Sequence, residues 1–489
     1  MNASDAGRPL HEAPILALQA KMEKGELTAA ELTRHFLTRI ETHDRNGARL
    51  NAVLEVNPEA VEIASALDRE RAERGPRGPL HGIPVLLKDN IATADRLHTS
   101  AGSLGLADVV APRDAFLVTR LRAAGAVILG KANMTEWANF MTTGMPAGYS
   151  SRGGQVVNPY GAKLTPGGSS SGSAVAVAAG LCPVSVGTET SGSILSPAVQ
   201  NSVVGIKTTV GLVSRAGIIP ISASQDTAGP FARTVADAAI LLGALAGADP
   251  DDRATRAAAR RAHSDYTPYL EPGALAGARL GVPRAVFFEQ VAAAELPVIE
   301  TALQALRDAG AVLVDPADIS TARVVTDFRS DVLLYEFKRD LNRYLRGLPA
   351  SAPVRNLREL IRFNEARPHE MLRFGQIMLL AAHATSGLRT MTYRTSRAED
   401  LRLARTEGLD PVFKTERLDA FVFPGRTGAA IGAKAGYPSI AVPAGYTTDG
   451  APVGLAFLGR AWSEPALIRL AHAFESVTNY RRPPASVAG

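Results

Sequence analysis

The chain has 489 residues, of which 46% are hydrophobic and 21% charged, so we expect a large buried core rather than disorder. Its 53 Lys and Arg residues are interspersed with 48 Asp and Glu residues, and aromatic residues make up only 6%. Nucleic-acid binding needs a denser basic stripe interleaved with aromatic residues, so the composition argues against a nucleic-acid partner.

The sequence also argues against a membrane span, a disulfide and a metal site. It has no run of 18 apolar residues, and its first nine residues are mostly polar. The single cysteine, Cys182, has no partner for an internal disulfide, and no set of Cys and His residues has the spacing of a zinc site. We therefore expect a cytoplasmic protein without a metal.

The N-terminal part predicts two helices followed by a buried strand. Hydrophobic residues at helical spacing predict a helix over about 27–44, capped by Thr28, and a second over about 58–74. The continuous apolar run 83–87 predicts a buried strand, which ends at Lys88. This lysine has two interpretations. It is either a salt-bridged residue at a strand end, or a desolvated amine whose pKa falls so that it can act as a base.

A second alternation of helix and strand follows. The pattern predicts a helix over 115–124, a strand over 126–129 and the start of another helix in KANMTEWANF, residues 131–140. Residues 144–166 are rich in Gly, Ser, Asn and Pro and predict a long irregular stretch. Loops of this length inside a compact domain are often functional.

The most distinctive stretch holds two loops rich in glycine and hydroxyl groups. The first loop covers 167–173 and leads into a helix of small residues over 174–179. A short apolar strand over 183–186 precedes the second loop, 187–193. Because the connection is short, we expect the two loops to lie beside each other.

The rest of the chain predicts strands and helices of one large α/β unit. A long loop is expected over 214–230, and residues 250–420 are expected to be mostly helical. The predicted strands are 203–206, 212–213, 420–423, 439–442 and 454–458, and the predicted helices include 234–246, 297–309, 331–345 and 464–477.

Four interpretations of the two loops compete. A phosphate-binding loop would end in GK[ST], which is missing. A hydrolase nucleophile elbow matches G-x-S-x-G at 168–172, but it needs an apolar strand directly before it, and the preceding residues cannot form one. A purely structural pair of turns remains open, and so does a Ser–Ser–Lys proton relay.

The relay has a physical basis. A serine hydroxyl is a poor nucleophile until a neighbour removes its proton, and none of the nine histidines lies in the two loops. A neutral lysine in a dry pocket can replace histidine, and a second hydroxyl can carry the proton across the gap. We therefore expect Ser169 and Ser193 to meet, with Lys88 arriving from a separate strand. Backbone N–H groups of the second loop can hold the oxyanion, each contributing on the order of 3 kcal/mol.

At this point the chain resembles the amidase signature family of Ser–cisSer–Lys hydrolases. The matches extend from about residue 50 to 475, and 245–415 is the weakest part. The matching stretches are GIPVLLKDN (82–90), PGGSSSGSAVAVAAG (166–180), GTETSGSILSPA (187–198), VVGIKTTVGLVSRAGIIPIS (203–222) and DTAGPFART (226–234). The central motif is long, so chance is a poor explanation for it.

The resemblance implies a fold and a domain organisation. It implies a single α/β domain with a mixed central sheet of about eleven strands and helices on both faces. The core of this amidase domain would comprise residues 50–245 and 415–478, and a helical insert over about 250–415 would shape the substrate site.

The resemblance also assigns roles in catalysis. Lys88 would be the base, Ser169 the bridging serine after a cis peptide bond, and Ser193 the nucleophile that forms an acyl-enzyme. The oxyanion donors would be the backbone N–H groups of Thr190, Ser191, Gly192 and Ser193. No metal or organic cofactor is implied.

Four positions depart from the common pattern of the family. Glu189 replaces an Asp, Ser191 a Gly, Leu195 an Arg and Thr208 a Pro. These differences resemble the branch of bacterial peptide amidases more than the transamidase subunit that acts on misacylated tRNA.

We expect a small-molecule or peptide amide as substrate, and a monomer or homodimer as the working form. The residues that we expect to line its pocket, with ordinary packing as the alternative, are Phe140, Tyr149, Arg152, Phe328, Tyr335, Phe374 and Gln376. Three other functions stay open. They are an aryl acylamidase or amide and ester hydrolase of other specificity, a glutamine-dependent transamidase subunit that needs a partner chain, and a non-catalytic scaffold.

Overall fold

The computed structural model describes residues 8–327 and 330–487. Within these residues the strands are β1 (Val53–Val56), β2 (Pro84–Lys88), β3 (Val127–Ala132), β4 (Tyr149–Ser150), β5 (Gly154–Gln155), β6 (Val184–Glu189), β7 (Val204–Lys207), β8 (Thr227–Ala232), β9 (Arg279–Gly281), β10 (Val312–Val314), β11 (Ala420–Pro424), β12 (Ser439–Tyr446) and β13 (Pro452–Leu458).

Eleven of these described strands form one mixed sheet, in the order β1-β3-β2-β6-β8-β7-β12-β13-β11-β9-β10, and β4 pairs with β5 separately. Strand β2 runs parallel to both β3 and β6, whereas β6 is antiparallel to β8. The prediction of a single α/β domain with a mixed sheet of about eleven strands is confirmed.

Helices pack against this sheet and against one another. They are α1 (Ile15–Glu23), α2 (Ala29–Arg39), α3 (Ala60–Arg74), α4 (Phe116–Ala123), α5 (Ser171–Ala178), α6 (Leu195–Gln200), α7 (Val235–Leu245), α8 (Ala258–Arg261), α9 (Leu296–Asp308), α10 (Ala322–Asp327), α11 (Val332–Arg346), α12 (Leu357–Glu365), α13 (Pro368–Met371), α14 (Ile377–Ala384), α15 (Met391–Leu401), α16 (Asp410–Thr415), α17 (Ala429–Ala435) and α18 (Glu464–Thr478). Helix α5 contacts β2, β3, β6 and β8, and α6 contacts β7, β12 and β13. In the part of the chain that the structure describes, no helix combines the length and the hydropathy that a bilayer crossing requires.

Helix α2 begins where the sequence predicts. The Thr28 hydroxyl accepts a hydrogen bond from the Glu31 backbone N–H at 3.1 Å, and the Glu31 carboxylate accepts one from the Thr28 N–H at 2.8 Å. This capping box satisfies two donors that the start of a helix otherwise leaves unpaired. Leu32 and Phe36 on the same helix are fully buried.

Two sequence predictions of local structure are wrong. KANMTEWANF does not start a regular helix, because Trp137 and Ala138 have positive φ values of 51° and 54° and leave only a short 3₁₀ turn at Glu136–Asn139. The stretch 214–230 is not all loop, because its last residues form the start of β8. This strand lies between β6 and β7 in the sheet.

Two further stretches differ from the predicted pattern. The stretch expected to be mostly helical contributes β9 and β10 to one edge of the sheet. Residues 212–213 form no strand and take part only in an isolated bridge between Val210 and Val213. The predicted boundaries between the core and the insert stay a prediction.

A second hydrophobic cluster joins helices α11 and α12 to two distant loops of the chain. It contains Phe337 and Leu341 from α11 and Leu360 from α12, together with Trp137 and Ile221 from the core loops. Helices α11 and α12 thereby pack against the stretch that follows β3 and the loop that precedes β8.

Candidate active site

Lys88 is the last residue of β2, and its side chain is fully buried. Its Nζ lies 2.7 Å from Ser169 Oγ, 2.9 Å from Thr188 Oγ1 and 3.2 Å from the Thr188 carbonyl oxygen. Asn90 adds to this network, since its Nδ2 donates to Thr188 Oγ1 at 3.0 Å. The amine is therefore held by three oxygen atoms at the carboxyl end of β2, which lies between its two parallel neighbours.

The pKa of the buried Lys88 amine lies close to neutral pH. Burial lowers the pKa of Lys88 to about 7, and the charges of Asp226 and Glu189 oppose this shift without cancelling it. An amine with a lowered pKa of this kind can be neutral near pH 7 and accept a proton through its lone pair. This environment favours the desolvated base over the salt-bridged lysine.

Ser169 lies in the first Gly/Ser loop, directly before α5. The Gly168–Ser169 peptide bond is cis, as the resemblance implies. The Ser169 carbonyl accepts a hydrogen bond from the Thr135 backbone N–H at 3.0 Å, which ties the loop to the stretch after β3. An added Cβ on Gly168 would lie 2.6 Å from Thr135 Oγ1, so a larger residue here would displace the Thr135 hydroxyl.

Ser193 follows β6 and lies beside the first loop. Its carbonyl accepts a hydrogen bond from the Ser170 backbone N–H at 3.3 Å. Its side chain is 7% exposed, and it lines a cavity of about 320 Å³ together with Gly168. Among the described residues, the Ser193 hydroxyl has no hydrogen-bond partner. The structure thus brings Lys88 and Ser169 into direct contact and places Ser193 at the cavity next to them.

The loop before Ser193 presents unpaired backbone donors. The backbone N–H groups of residues 190–193 donate to no protein acceptor within the described parts of the chain. The next two N–H groups, of Ile194 and Leu195, donate to Glu189 Oε2 at 2.7 and 3.0 Å. Glu189 thereby holds the turn at the start of α6. The N–H groups of residues 190–193 remain available for an oxyanion.

Asp226 anchors the other side of the same loop. Its carboxylate accepts hydrogen bonds from the Thr190 hydroxyl at 2.6 Å and from the N–H groups of Ile221 and Ser222 at 2.8 Å. Burial raises the pKa of Asp226 to about 6. This carboxylate therefore fixes a loop that lines the cavity and also places negative charge near Lys88.

One of the predicted pocket residues, Phe140, lines the cavity that contains Ser193. Another, Arg152, is occupied elsewhere. Its guanidinium donates to Glu55 at 2.7 Å and to Asp89 at 3.4 Å, so it forms an internal ion-pair network. Phe328 lies outside the described residues.

The other four predicted pocket residues do not line this cavity either. Tyr149 and Phe374 pack edge to face, with ring centroids 5.0 Å apart. Gln376 is buried and accepts a hydrogen bond from Asn364 of α12 at 2.9 Å. The Tyr335 ring lies 5.9 Å from that of Tyr393. For these side chains, ordinary packing is what the structure shows.

Several residues at the site were missed by the sequence analysis. Asn90 was detectable, because it follows Lys88 by two residues at the same strand end. Thr188 was placed in a loop, whereas it is the fifth residue of β6. Leu333 and Arg426 line the cavity from distant parts of the chain, and no local signal links them to it.

Known proteins resemble this chain over almost its whole length. The sequence model of the Amidase family matches residues 31–435. The chain belongs to the amidase family. A protein of Arabidopsis thaliana named probable amidase is 43% identical to it over 488 residues, covering 98% of this chain and 92% of that protein. The native peptide amidase of Stenotrophomonas maltophilia is 48% identical, with a TM-score of 0.93 and coverage of 98% of this chain and 100% of the other.

This amidase also has relatives of another kind. One of them is a glutamyl-tRNA(Gln) amidotransferase chain of Chloroflexus aurantiacus, which is 35% identical over 497 residues, covering 96% of this chain and 98% of the other. The family and the match to peptide amidase structures identify the protein as an amidohydrolase that cleaves an amide bond.

Proposed function

We propose that this amidase hydrolyses the C-terminal carboxamide of a peptide, or another organic primary amide, to the carboxylate and ammonia. Ser193 attacks the amide carbonyl and forms an acyl-enzyme, with Ser169 and Lys88 as the proton relay. The observation that carries the proposal is the 2.7 Å contact between a fully buried lysine amine and Ser169, beside the cavity that Ser193 lines.

The proton follows the hydroxyl groups. As Ser193 Oγ bonds to the carbonyl carbon, its proton passes to Ser169, and the Ser169 proton passes to neutral Lys88. The oxyanion is stabilised by the unpaired N–H groups of residues 190–193. The proton then returns along the same path to the nitrogen of the leaving group, so ammonia departs. A water molecule attacks the acyl-enzyme by the same relay and releases the acid.

The alternatives have less support. The overall match to the peptide amidase covers both chains almost completely, with a TM-score of 0.93. The structure of the glutamyl-tRNA(Gln) amidotransferase chain of Thermotoga maritima has a TM-score of 0.72 at 23% identity and is evidence for the fold alone. An aryl acylamidase or an ester hydrolase would use the same relay. Only a comparison of substrates can therefore distinguish these activities from the proposed one. We also expect the protein to be cytoplasmic and to work as a monomer or homodimer. Size-exclusion chromatography with light scattering tests the oligomeric state.

The substrate test compares ammonia release from three amides. We expect the purified chain alone to release ammonia from N-acetyl-L-phenylalaninamide faster than from acetamide, and to act poorly on free glutamine. Glutamine as the best substrate, or a need for a partner chain, would favour the transamidase. A preference for acetamide would contradict the peptide assignment.

Labelling tests the nucleophile separately. A fluorophosphonate should modify Ser193, and peptide mapping by mass spectrometry should locate the adduct there. A Ser191→Ala variant is a matched control, since Ser191 lies two residues away in the same loop and lines the same cavity. It should label like the wild type. Modification at any other serine would reject Ser193 as the nucleophile.

The pH profile of kcat/KM should have an acid limb set by Lys88. Because the amine must be neutral to accept a proton and its pKa is about 7, kcat/KM should fall about tenfold per pH unit well below pH 7. The measurement is the initial rate at low substrate concentration from pH 5 to 9. A flat profile through pH 6 would show that no group with this pKa acts as the base.

Asp226→Asn should move that limb to lower pH. The Asp226 carboxylate raises the pKa of Lys88, so its neutral replacement removes an interaction that favours the protonated amine. Asp249→Asn is the control, because Asp249 is also buried but bonds to Ser214 instead. A limb that shifts equally in both variants, or upward in Asp226→Asn, would contradict this electrostatic coupling.

A further inference from the structure

The cavity that contains Ser193 is lined by one charged side chain. Among the described residues it is bordered by Arg426, by the apolar side chains of Phe140, Ile221 and Leu333, and by uncharged polar residues such as Gln200. No Asp or Glu lines it. The cavity wall therefore carries a positive charge without a matching negative one.

Arg426 is also free to bind a ligand. It is exposed and lies in the turn between β11 and α17. In the described parts of the chain its guanidinium has no hydrogen bond and no ion pair. Other arginines of the structure are used internally, as Arg152 is by Glu55 and Arg215 is by Asp252. Arg426 thus differs from them in lining a cavity while its donors remain unsatisfied.

The acidic residues near the site do not neutralise this charge. Glu189 and Asp226 lie behind the loop of residues 190–193, where each accepts at least two backbone N–H hydrogen bonds. Glu189 is buried and Asp226 is half-buried, and neither lines the cavity. A substrate that enters the cavity therefore meets one cation, an apolar wall and uncharged polar groups.

We propose that Arg426 selects amides whose acyl portion carries a carboxylate. This inference rests on the proposed function and names the substrate class for the same site. A guanidinium presents a planar fork of N–H donors that matches a carboxylate, so an anionic group on the acyl side can be held while the amide carbon lies at Ser193. The apolar wall formed by Phe140, Ile221 and Leu333 receives the side chain next to the amide.

The test uses pairs of amides that differ only in charge. In the first pair, N-succinyl-L-phenylalaninamide is compared with N-(4-methylpentanoyl)-L-phenylalaninamide, in which an isopropyl group replaces the carboxylate. In the second pair, N-glutaryl and N-(5-methylhexanoyl) groups lengthen the acyl chain by one methylene. The wild type should prefer the carboxylate of at least one pair by roughly fivefold or more in kcat/KM, and added salt should reduce that preference.

Substitutions then assign the preference to Arg426. Arg426→Gln should reduce the ratio to about 1, because the carboxylate substrate loses more of its kcat/KM than the neutral amide does, and Arg426→Lys should retain part of the ratio. Arg373→Gln is the matched control, because Arg373 is exposed and lies over Tyr149 and Phe374 instead of lining the cavity. It should keep the full ratio.

The outcomes separate this inference from the proposed function. If the wild type cleaves the neutral amides but prefers neither carboxylate, only the role of Arg426 is refuted. The same holds if Arg426→Gln slows both members of a pair equally. If the wild type cleaves none of the four amides but releases ammonia from another primary amide, the peptide assignment and this inference both fail. If it cleaves no primary amide at all, the proposed function fails with them.

Discussion

Replacing Lys88 by methionine should lower kcat/KM for a primary amide by about 10³-fold or more, by analogy with loss of a member of other serine relays. The amine lies 2.7 Å from Ser169, so its removal leaves the bridging hydroxyl without a base. The protein should still fold, because methionine has a similar length and keeps an apolar stem in a fully buried position. The measurement is ammonia release, with circular dichroism and a melting curve as checks of folding.

Lys131→Met is the matched control for this experiment. Lys131 is also fully buried, on the neighbouring strand β3, and burial likewise lowers its pKa, to about 8. Its amine donates to the Ile91 carbonyl and to Thr99 Oγ1 and makes no contact with Ser169. The substitution removes a positive charge that interacts with buried Asp89, so Lys131→Met should lower the free energy of unfolding. The protein that remains folded should keep its kcat/KM within about tenfold of the wild-type value.

A double variant separates a relay from independent contributions. If Lys88 and Ser169 act in one proton path, Ser169→Ala should be about as slow as Lys88→Met, and the double variant should be hardly slower than either, because residues that act as a unit are not additive. Turnover close to the wild-type rate in Lys88→Met would remove the base from the mechanism. Fully multiplicative losses would show that the two side chains act separately.

The sequence predicted the parts of the site whose signals are local. The apolar run before Lys88 predicted a buried strand, and β2 is buried along its whole length. The small residues after Ser169 predicted a helix, and α5 extends over Ser171–Ala178. Each of these patterns is contained within about ten residues, so burial and periodicity were sufficient.

Strand β8 shows why other elements were missed. Its sequence, TAGPFA, contains a glycine and a proline, which are depleted in strands, so it read as a loop. In the fold an added Cβ on Gly229 would lie 1.9 Å from the carbonyl oxygen of Ile206. This glycine permits the close approach of β7 and β8, a requirement that exists only once the sheet is assembled.

The substrate cavity was the least predictable part for the same reason. Leu333 and Arg426 are separated from Ser193 by more than a hundred residues. They reach the cavity through the packing of α11 and the position of β11. Two of the aromatic residues predicted for the pocket, Tyr149 and Phe374, pack against each other instead. Composition can indicate that a pocket is mixed in character, but it does not show which side chains face it.

Gly172→Ala should destabilise the protein by about 3 kcal/mol or more, at the upper end of the range for overpacking. An ideal Cβ at this position would lie 2.3 Å from the carbonyl oxygen of Ala52, 2.4 Å from that of Asn133 and 2.7 Å from the Asn133 nitrogen. All three are backbone atoms, so no side chain can turn away to make room. The start of α5 would have to move away from the ends of β1 and β3.

This shift should also reach the catalytic loop, because Ser169 lies two residues before the start of α5. We therefore expect a lower denaturation midpoint together with a lower kcat in the protein that remains folded. Gly273→Ala is the control, since nothing lies within 4 Å of its added Cβ, and it should change stability by no more than about 0.5 kcal/mol. Equal midpoints for the two variants would mean that α5 can move off the strand ends at little cost. The contact of Gly172 with Asn133 could then not be what fixes Ser169 against Lys88.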